Sequence, residues 1–119
     1  IYAGWNWFSL NRKVVKYILW YLNENPKYLS RFKYTYCCDE LFYHTILADK
    51  ADDLSIITNN SLRFVEWNPK REYDTLPLIL NENELDVVLN SNCFFCRKIH
   101  PSTSLKLMNE IDKKILQES

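Results

Sequence analysis

Apolar residues recur at three- and four-residue steps in several stretches and bunch into short runs elsewhere, so the chain reads as helices joined by brief strands and loops. Val14, Val15, Ile18, Leu19 and Leu22 set an amphipathic helix over residues 12–23, with Ser9 or Asn11 as its cap and Pro26 closing it. A shorter helix over residues 26–32 would turn Tyr28, Leu29 and Phe32 inward. An extended aromatic run, Tyr34-Thr35-Tyr36, then ends at Cys37-Cys38. The helix that follows places Glu40, Tyr43, His44 and Leu47 on one stripe, with Leu41, Thr45 and Ala48 beside it.

Around these helices the pattern shortens. Residues 1–10 mix aromatic and small side chains and read as a strand or extended loop, while residues 49–53 form a charged loop. Residues 54–58 and 61–67 read as two short strands split by the turn pair Asn59-Asn60. Residues 68–77 turn polar and make the longest candidate loop, the kind of segment that often carries recognition. Asn81 with Glu84 three positions later has capping-box spacing, so a helix should span residues 82–89. Residues 93–99 read as a short apolar strand, with Phe94 and Phe95 buried. Ser102 or Ser104 then caps a last helix striped by Leu105, Met108, Ile111, Ile115 and Leu116.

Composition narrows the classes. The chain has 119 residues, 47% of them apolar and 15% aromatic, which is enough to fill the core of one compact domain or part of one. Fifteen basic and fifteen acidic side chains cancel, so nothing points to nucleic acid or to an anionic membrane. A single glycine excludes a glycine-rich phosphate loop. No apolar run reaches the roughly 18 residues that span a bilayer. The chain opens at Ile1 inside a hydrophobic phrase, IYAGWNWFSL, and reads as a piece of a longer protein. Cys37, Cys38, Cys93 and Cys96 lack the double C-x-x-C spacing of a zinc site. Half-buried, reduced thiols are the expected state, and a small zinc module is a minor reading.

The candidate chemistry sits at Asp39-Glu40, which open the helix after the aromatic run. A carboxylate in a first helical turn either satisfies the free N–H groups there or faces a cleft and takes a proton from a substrate. Asp39 is well placed to cap, which leaves Glu40 for the second task.

Four phrases in order carry a likeness: AGWNWFSLNRKVVKYIL, CCDELFYHTIL, NNSLRFVEW and CFFCRKIH. They resemble the phrases G-S-x-W/Y-x-x-x-S/T-R-x-x-V-x-Y-x-L, x-P-D-E-x-F-x-x-T-x-L, N-x-x-R-Y-I-D-W and L-F-A-R-K-F-D of the core-two and I-branching β-1,6-N-acetylglucosaminyltransferases, a family that includes peptide O-xylosyltransferases and bacterial relatives. The likeness covers about residues 2–100. It implies an α/β architecture, the C-terminal half of a GT-A-like glycosyltransferase fold, made of helices with a few short strands. The N-terminal half, with most of the sugar-nucleotide site, would be absent from residues 1–119, which would form a single partial domain with an exposed apolar face.

The resemblance implies inverting transfer of a sugar, N-acetylglucosamine for choice, from a UDP-sugar to a glycan hydroxyl without a metal cofactor; the sequence contains no D-x-D. It puts the general base on Glu40 and the diphosphate-neutralising lysine on Lys98. Arg97 is a lesser candidate, and Lys70 or Arg71 is a second basic group. Trp67 matches an aromatic that stacks on the acceptor sugar, and Trp5 and Trp7 fall in a segment that lines the same cleft. His44 and His100 read as structural or solvent-facing. The sequence departs at Cys38, where the family has Pro, and at His100, where it has Asp. The partners implied are a UDP-sugar donor, a glycan acceptor and the missing half of the domain, with no nucleic acid. Few glycines and many Asn, Lys and Ile residues suggest a bacterial enzyme of surface-polysaccharide synthesis, cytoplasmic or peripheral at the inner face of the membrane. The rival reading is a non-catalytic carbohydrate-binding or protein-interaction module that keeps the aromatic cleft.

Overall fold

The computed structural model describes residues 1–72 and 74–119. It is mixed helical with two short parallel strands, and it divides into two compact units, Ile1–Ser61 and Leu62–Ser119.

In the first unit, α1 (Arg12–Glu24) starts at Asn11, whose Oδ1 accepts the Val14 N–H at 3.0 Å. It ends at Asn25, whose backbone and side-chain N–H groups both donate to the Tyr21 carbonyl. Val14 and Ile18 face a core shared with Tyr28, Ile46, Leu47 and Leu54. Tyr28 is its hub: its ring packs on Tyr21, Phe32 and Phe42 at centroid distances of 5.1–5.3 Å, and its hydroxyl donates to the Phe42 carbonyl at 2.8 Å. Burial raises the Tyr28 pKa, against a smaller lowering from its hydrogen bonding to Thr45. α2 (Asp39–Leu47) contributes Ile46 and Leu47.

Three local expectations fail in this unit. The short helix is a 3₁₀ turn over Leu29–Phe32 that brings Tyr28 and Phe32 inward but leaves Leu29 exposed, because three residues per turn shift the stripe. Tyr34 and Tyr36 lie in turns, almost wholly exposed, rather than in an extended run. Residues 54–58 form no strand: Leu54 and Ile56 donate to the Lys50 and Ala51 carbonyls, and Ser55 takes a positive φ of 54°.

In the second unit, β1 (Arg63–Val65) pairs in parallel with β2 (Phe95–Arg97), Phe64 facing Cys96 in register. The stretch between them returns beside β2: Leu78 N–H donates to the Glu66 carbonyl, Lys98 N–H to Leu78, and Leu80 N–H to Lys98. That threading buries Leu78 and Leu80 completely against Leu107. Asn81 and Glu84 form the expected capping box, from which a 3₁₀ turn, Glu82–Glu84, leads into α3 (Leu85–Leu89). α4 (Leu105–Glu118) completes the unit.

Here too the sequence pattern misplaces side chains. Phe94 and Phe95 are 78% and 54% exposed rather than buried, and the Arg63 guanidinium lies 4.7 Å from the Phe95 ring centroid. α4 packs through Leu107 and Ile111, with Met108 half-buried, while Leu105, Ile115 and Leu116 face outward. Ser104 is buried but does not cap α4; its hydroxyl donates to the Leu80 carbonyl and accepts the His100 N–H. Among the described residues no helix is long and apolar enough to cross a membrane.

Candidate functional site

In the first unit the site is built from α2 and the extended segment that lies along it. Cys37 adopts a positive φ of 52° and turns the chain into α2, whose cap residue, Cys38, offers no side-chain hydrogen bond. Contacts from residues 2–8 hold the helix instead. Thr45 Oγ1 accepts the Tyr2 N–H at 3.1 Å and donates to the Tyr2 carbonyl at 3.2 Å. Gly4 N–H donates to the Glu40 carbonyl at 2.9 Å, and the Asn6 side-chain amide donates to the Asp39 carboxylate. Phe8 packs edge-on against Tyr43 and His44, at 5.4 and 5.7 Å.

Gly4, Asn6 and Phe8 thus meet α2, while Trp5 and Trp7 are 46% and 51% exposed. Asp39 was expected to cap the helix, but the hydrogen bond its carboxylate makes is with Asn6. Glu40 projects from the same turn, exposed, and its carboxylate makes no hydrogen bond or ion pair among the described residues. His44, one turn on, is half-buried, and its Nδ1 has no hydrogen-bond partner among the described residues. Its ring fills the space that any side chain at position 4 would need. The structural reading of His44 fits this packing.

The basic candidates and Trp67 belong to the second unit. Lys98 is exposed, and its backbone N–H and carbonyl are both bonded to one neighbouring segment, to Leu78 and Leu80. Arg97 is half-buried at the end of β2, opposite Val65. Trp67 is 47% exposed just after β1. Of the two cations in the polar loop, whose Tyr73 lies outside the described residues, Arg71 is committed internally. It pairs with Asp74 and Glu84, each at 3.2 Å, and donates to the Ile79 carbonyl at 2.9 Å. Lys70 keeps a more open ammonium, 3.6 Å from the Glu66 carboxylate.

The carboxylates of this loop are tuned by the same contacts. The Asn68 N–H, together with Lys70, holds Glu66 below the usual carboxylate range. At Asp74 desolvation works upward but is outweighed by the N–H groups of Lys70 and Arg71 and by the Arg71 charge, so its pKa is lowered. Burial, then Cys93, raises the Cys96 pKa, which favours the thiol over the thiolate. Cys93 and Cys96 are half-buried as expected; Cys37 and Cys38 are exposed, and all four are free thiols. Among the described residues no three His, Cys, Asp or Glu side chains gather as metal ligands would.

The family model described as Core-2/I-Branching enzyme matches residues 1–89. The chain belongs to the Core-2/I-Branching enzyme family. The match takes in Asp39-Glu40 and Trp67 and stops before Lys98. Similar proteins include the beta-glucuronosyltransferase GlcAT14A of Arabidopsis thaliana, 25% identical over 98% of this chain and 25% of its own length. GlcAT14B of the same plant is 23% identical over 100% of this chain and 27% of its own length. Xylosyltransferase 1 of Rattus norvegicus is 34% identical over 57% of this chain and 8% of its own length. The chain therefore spans about a quarter or less of these relatives. No solved structure matches it.

Within this Core-2/I-Branching chain, Glu40, Trp5 and Trp7 fall in one unit, and Lys98, Arg97, Lys70, Arg71 and Trp67 fall in the other. Asn6 and Gly4 escaped the sequence reading. The legible signal was the alternation G-W-N-W-F, in which a lone glycine and a small amide interleave with tryptophans.

Proposed function

We propose that the protein is an inverting glycosyltransferase that moves a sugar from a UDP-sugar to a glycan hydroxyl, with Glu40 as the general base. Membership of the Core-2/I-Branching enzyme family is the observation that carries the reading, and the exposed, uncommitted carboxylate of Glu40 in the first turn of α2 gives it a residue. Glu40 takes the acceptor hydroxyl proton as that oxygen attacks the anomeric carbon, and the bond from that carbon to the diphosphate oxygen breaks with its electron pair leaving on UDP. A positioned base of this kind contributes about 10²–10⁴-fold.

The departing diphosphate needs positive charge, and no metal is required if side chains supply it. Lys98 is assigned that task, its exposed side chain standing on a backbone whose N–H and carbonyl are both bonded to the Leu78–Leu80 segment. Lys70 is favoured over Arg71 as the second cation, because Arg71 would have to leave two carboxylates and a carbonyl. Trp67, Trp5 and Trp7 are assigned to the acceptor, since a half-exposed indole suits the C–H face of a pyranose. N-acetylglucosamine is the donor sugar suggested by the sequence phrases, whereas the relatives are named for glucuronic acid and xylose.

The test is UDP release by the complete protein with UDP-N-acetylglucosamine, UDP-glucuronic acid and UDP-xylose, each with a panel of short glycans. Turnover of one donor is expected, with Glu40→Gln slowing it at least ~100-fold while thermal stabilisation by that donor persists. Absence of turnover on every pair would overturn the enzymatic assignment and favour a non-catalytic carbohydrate-binding module, whereas full turnover by the Glu40→Gln protein would overturn the assignment of Glu40 as the base.

A further inference from the structure

The first turn of α2 is held from outside the helix. Its cap residue, Cys38, supplies no side-chain bond, and the carboxylate expected to cap, Asp39, is turned to the Asn6 amide instead. One residue on, the Glu40 carbonyl accepts the Gly4 N–H at 2.9 Å. Two successive residues of the turn are therefore gripped by two alternate residues of one extended segment. The grip reaches Glu40 through its neighbour and its own backbone, leaving its carboxylate untouched.

We propose that Asn6 is a positioning residue for Glu40, acting through its hydrogen bond to Asp39; this rests on the catalytic reading of Glu40 given above. A base must sit within hydrogen-bond reach of the acceptor hydroxyl, and a displacement of about 1 Å can cost about 100-fold in rate. Without Asn6 the turn keeps the Gly4 bond to the Glu40 carbonyl but loses its second tie, and Glu40 is held less firmly. The same contact explains why an acidic residue precedes Glu40 without capping the helix. Asp39 is the acceptor for the segment, and either a carboxylate or an amide oxygen can fill that role.

The experiment compares Asn6→Ala, Asp39→Ala, Asp39→Asn and Glu40→Gln in the complete protein, using whichever of UDP-N-acetylglucosamine, UDP-glucuronic acid or UDP-xylose is turned over. Asn6→Ala and Asp39→Ala should each lower kcat about tenfold to 100-fold, with the KM for the UDP-sugar held within about twofold. Asp39→Asn, which keeps an oxygen acceptor, should stay close to the parent rate. Full activity in Asn6→Ala beside an inactive Glu40→Gln would overturn the proposal while leaving the base intact. So would an Asp39→Asn protein as slow as Asp39→Ala, which would make charge rather than hydrogen bonding the requirement. Should Asn6→Ala fold poorly, the Asp39→Asn and Asp39→Ala pair decides alone. An active Glu40→Gln protein would instead remove the catalytic reading itself.

Discussion

Gly4 shows how one residue type sets local geometry here for steric rather than conformational reasons. A methyl group at this position would collide with Cδ2 and Nε2 of His44, whose ring also packs edge-on against Phe8 at 5.7 Å. Gly4→Ala should therefore destabilise the first unit by about 1–3 kcal/mol, the usual cost of overpacking. In a His44→Ala background the same change should cost much less, because the obstructing ring is gone. Denaturant unfolding of the four proteins in a double-mutant cycle measures that coupling. Equal costs in both backgrounds would mean that the ring is not what excludes a side chain at position 4. The sequence displayed the chain's single glycine, but not the reason for it. Nothing local pairs residue 4 with residue 44, and only the folded segment brings them together.

Elements with strong local signals were legible, and those set by long-range contacts were not. α1, α2, the Asn81–Glu84 capping box and α4 all stand within a few residues of where periodicity and cap chemistry put them. The face of α4 was misjudged, because its five apolar positions form a plausible stripe by themselves while burial is decided by the Leu78 and Leu80 segment that Leu107 meets. Leu107→Ala should cost about 2–5 kcal/mol, whereas Leu116→Ala, on the exposed side, should stay within about 0.5 kcal/mol. Thermal or urea unfolding of the two variants distinguishes these faces of one helix.

The polar loop was read as a recognition segment, yet part of it is an internal tie. Glu84 is 1% exposed and receives both Arg71 and the Asn81 N–H. Asp74 closes the same loop, and its lowered pKa fixes the sign of a pH effect. The stability it supplies is fully present above the ordinary aspartate value of about 3.9. It is lost as the pH falls through the depressed folded value, since protonation is then forced on the native state. Asp74→Asn should flatten the fall in melting temperature below about pH 4. An unchanged acid slope would show that folding does not lower the Asp74 pKa.

Across the whole molecule, aromatic surface is left accessible in both units. Trp5, Trp7 and Trp20 in the first unit and Trp67 in the second are between 46% and 55% exposed, and they are all the tryptophans of the chain. Half-exposed indoles are ordinary on a protein surface, but a ring that stacks on sugars has to stay reachable. Trp20 serves as the internal comparison, since it lies on the outer side of α1 and belongs to no candidate site. Native tryptophan emission should already be solvent-like, shifting little on unfolding, and acrylamide should quench most of it in the folded protein. Single Trp→Phe changes at positions 5, 7, 20 and 67 should each remove a similar share of the quenchable signal. A strongly blue-shifted, quencher-resistant native emission would mean that these rings are covered in solution, and the assignment of Trp5, Trp7 and Trp67 to a glycan acceptor would then fail regardless of what Glu40 does.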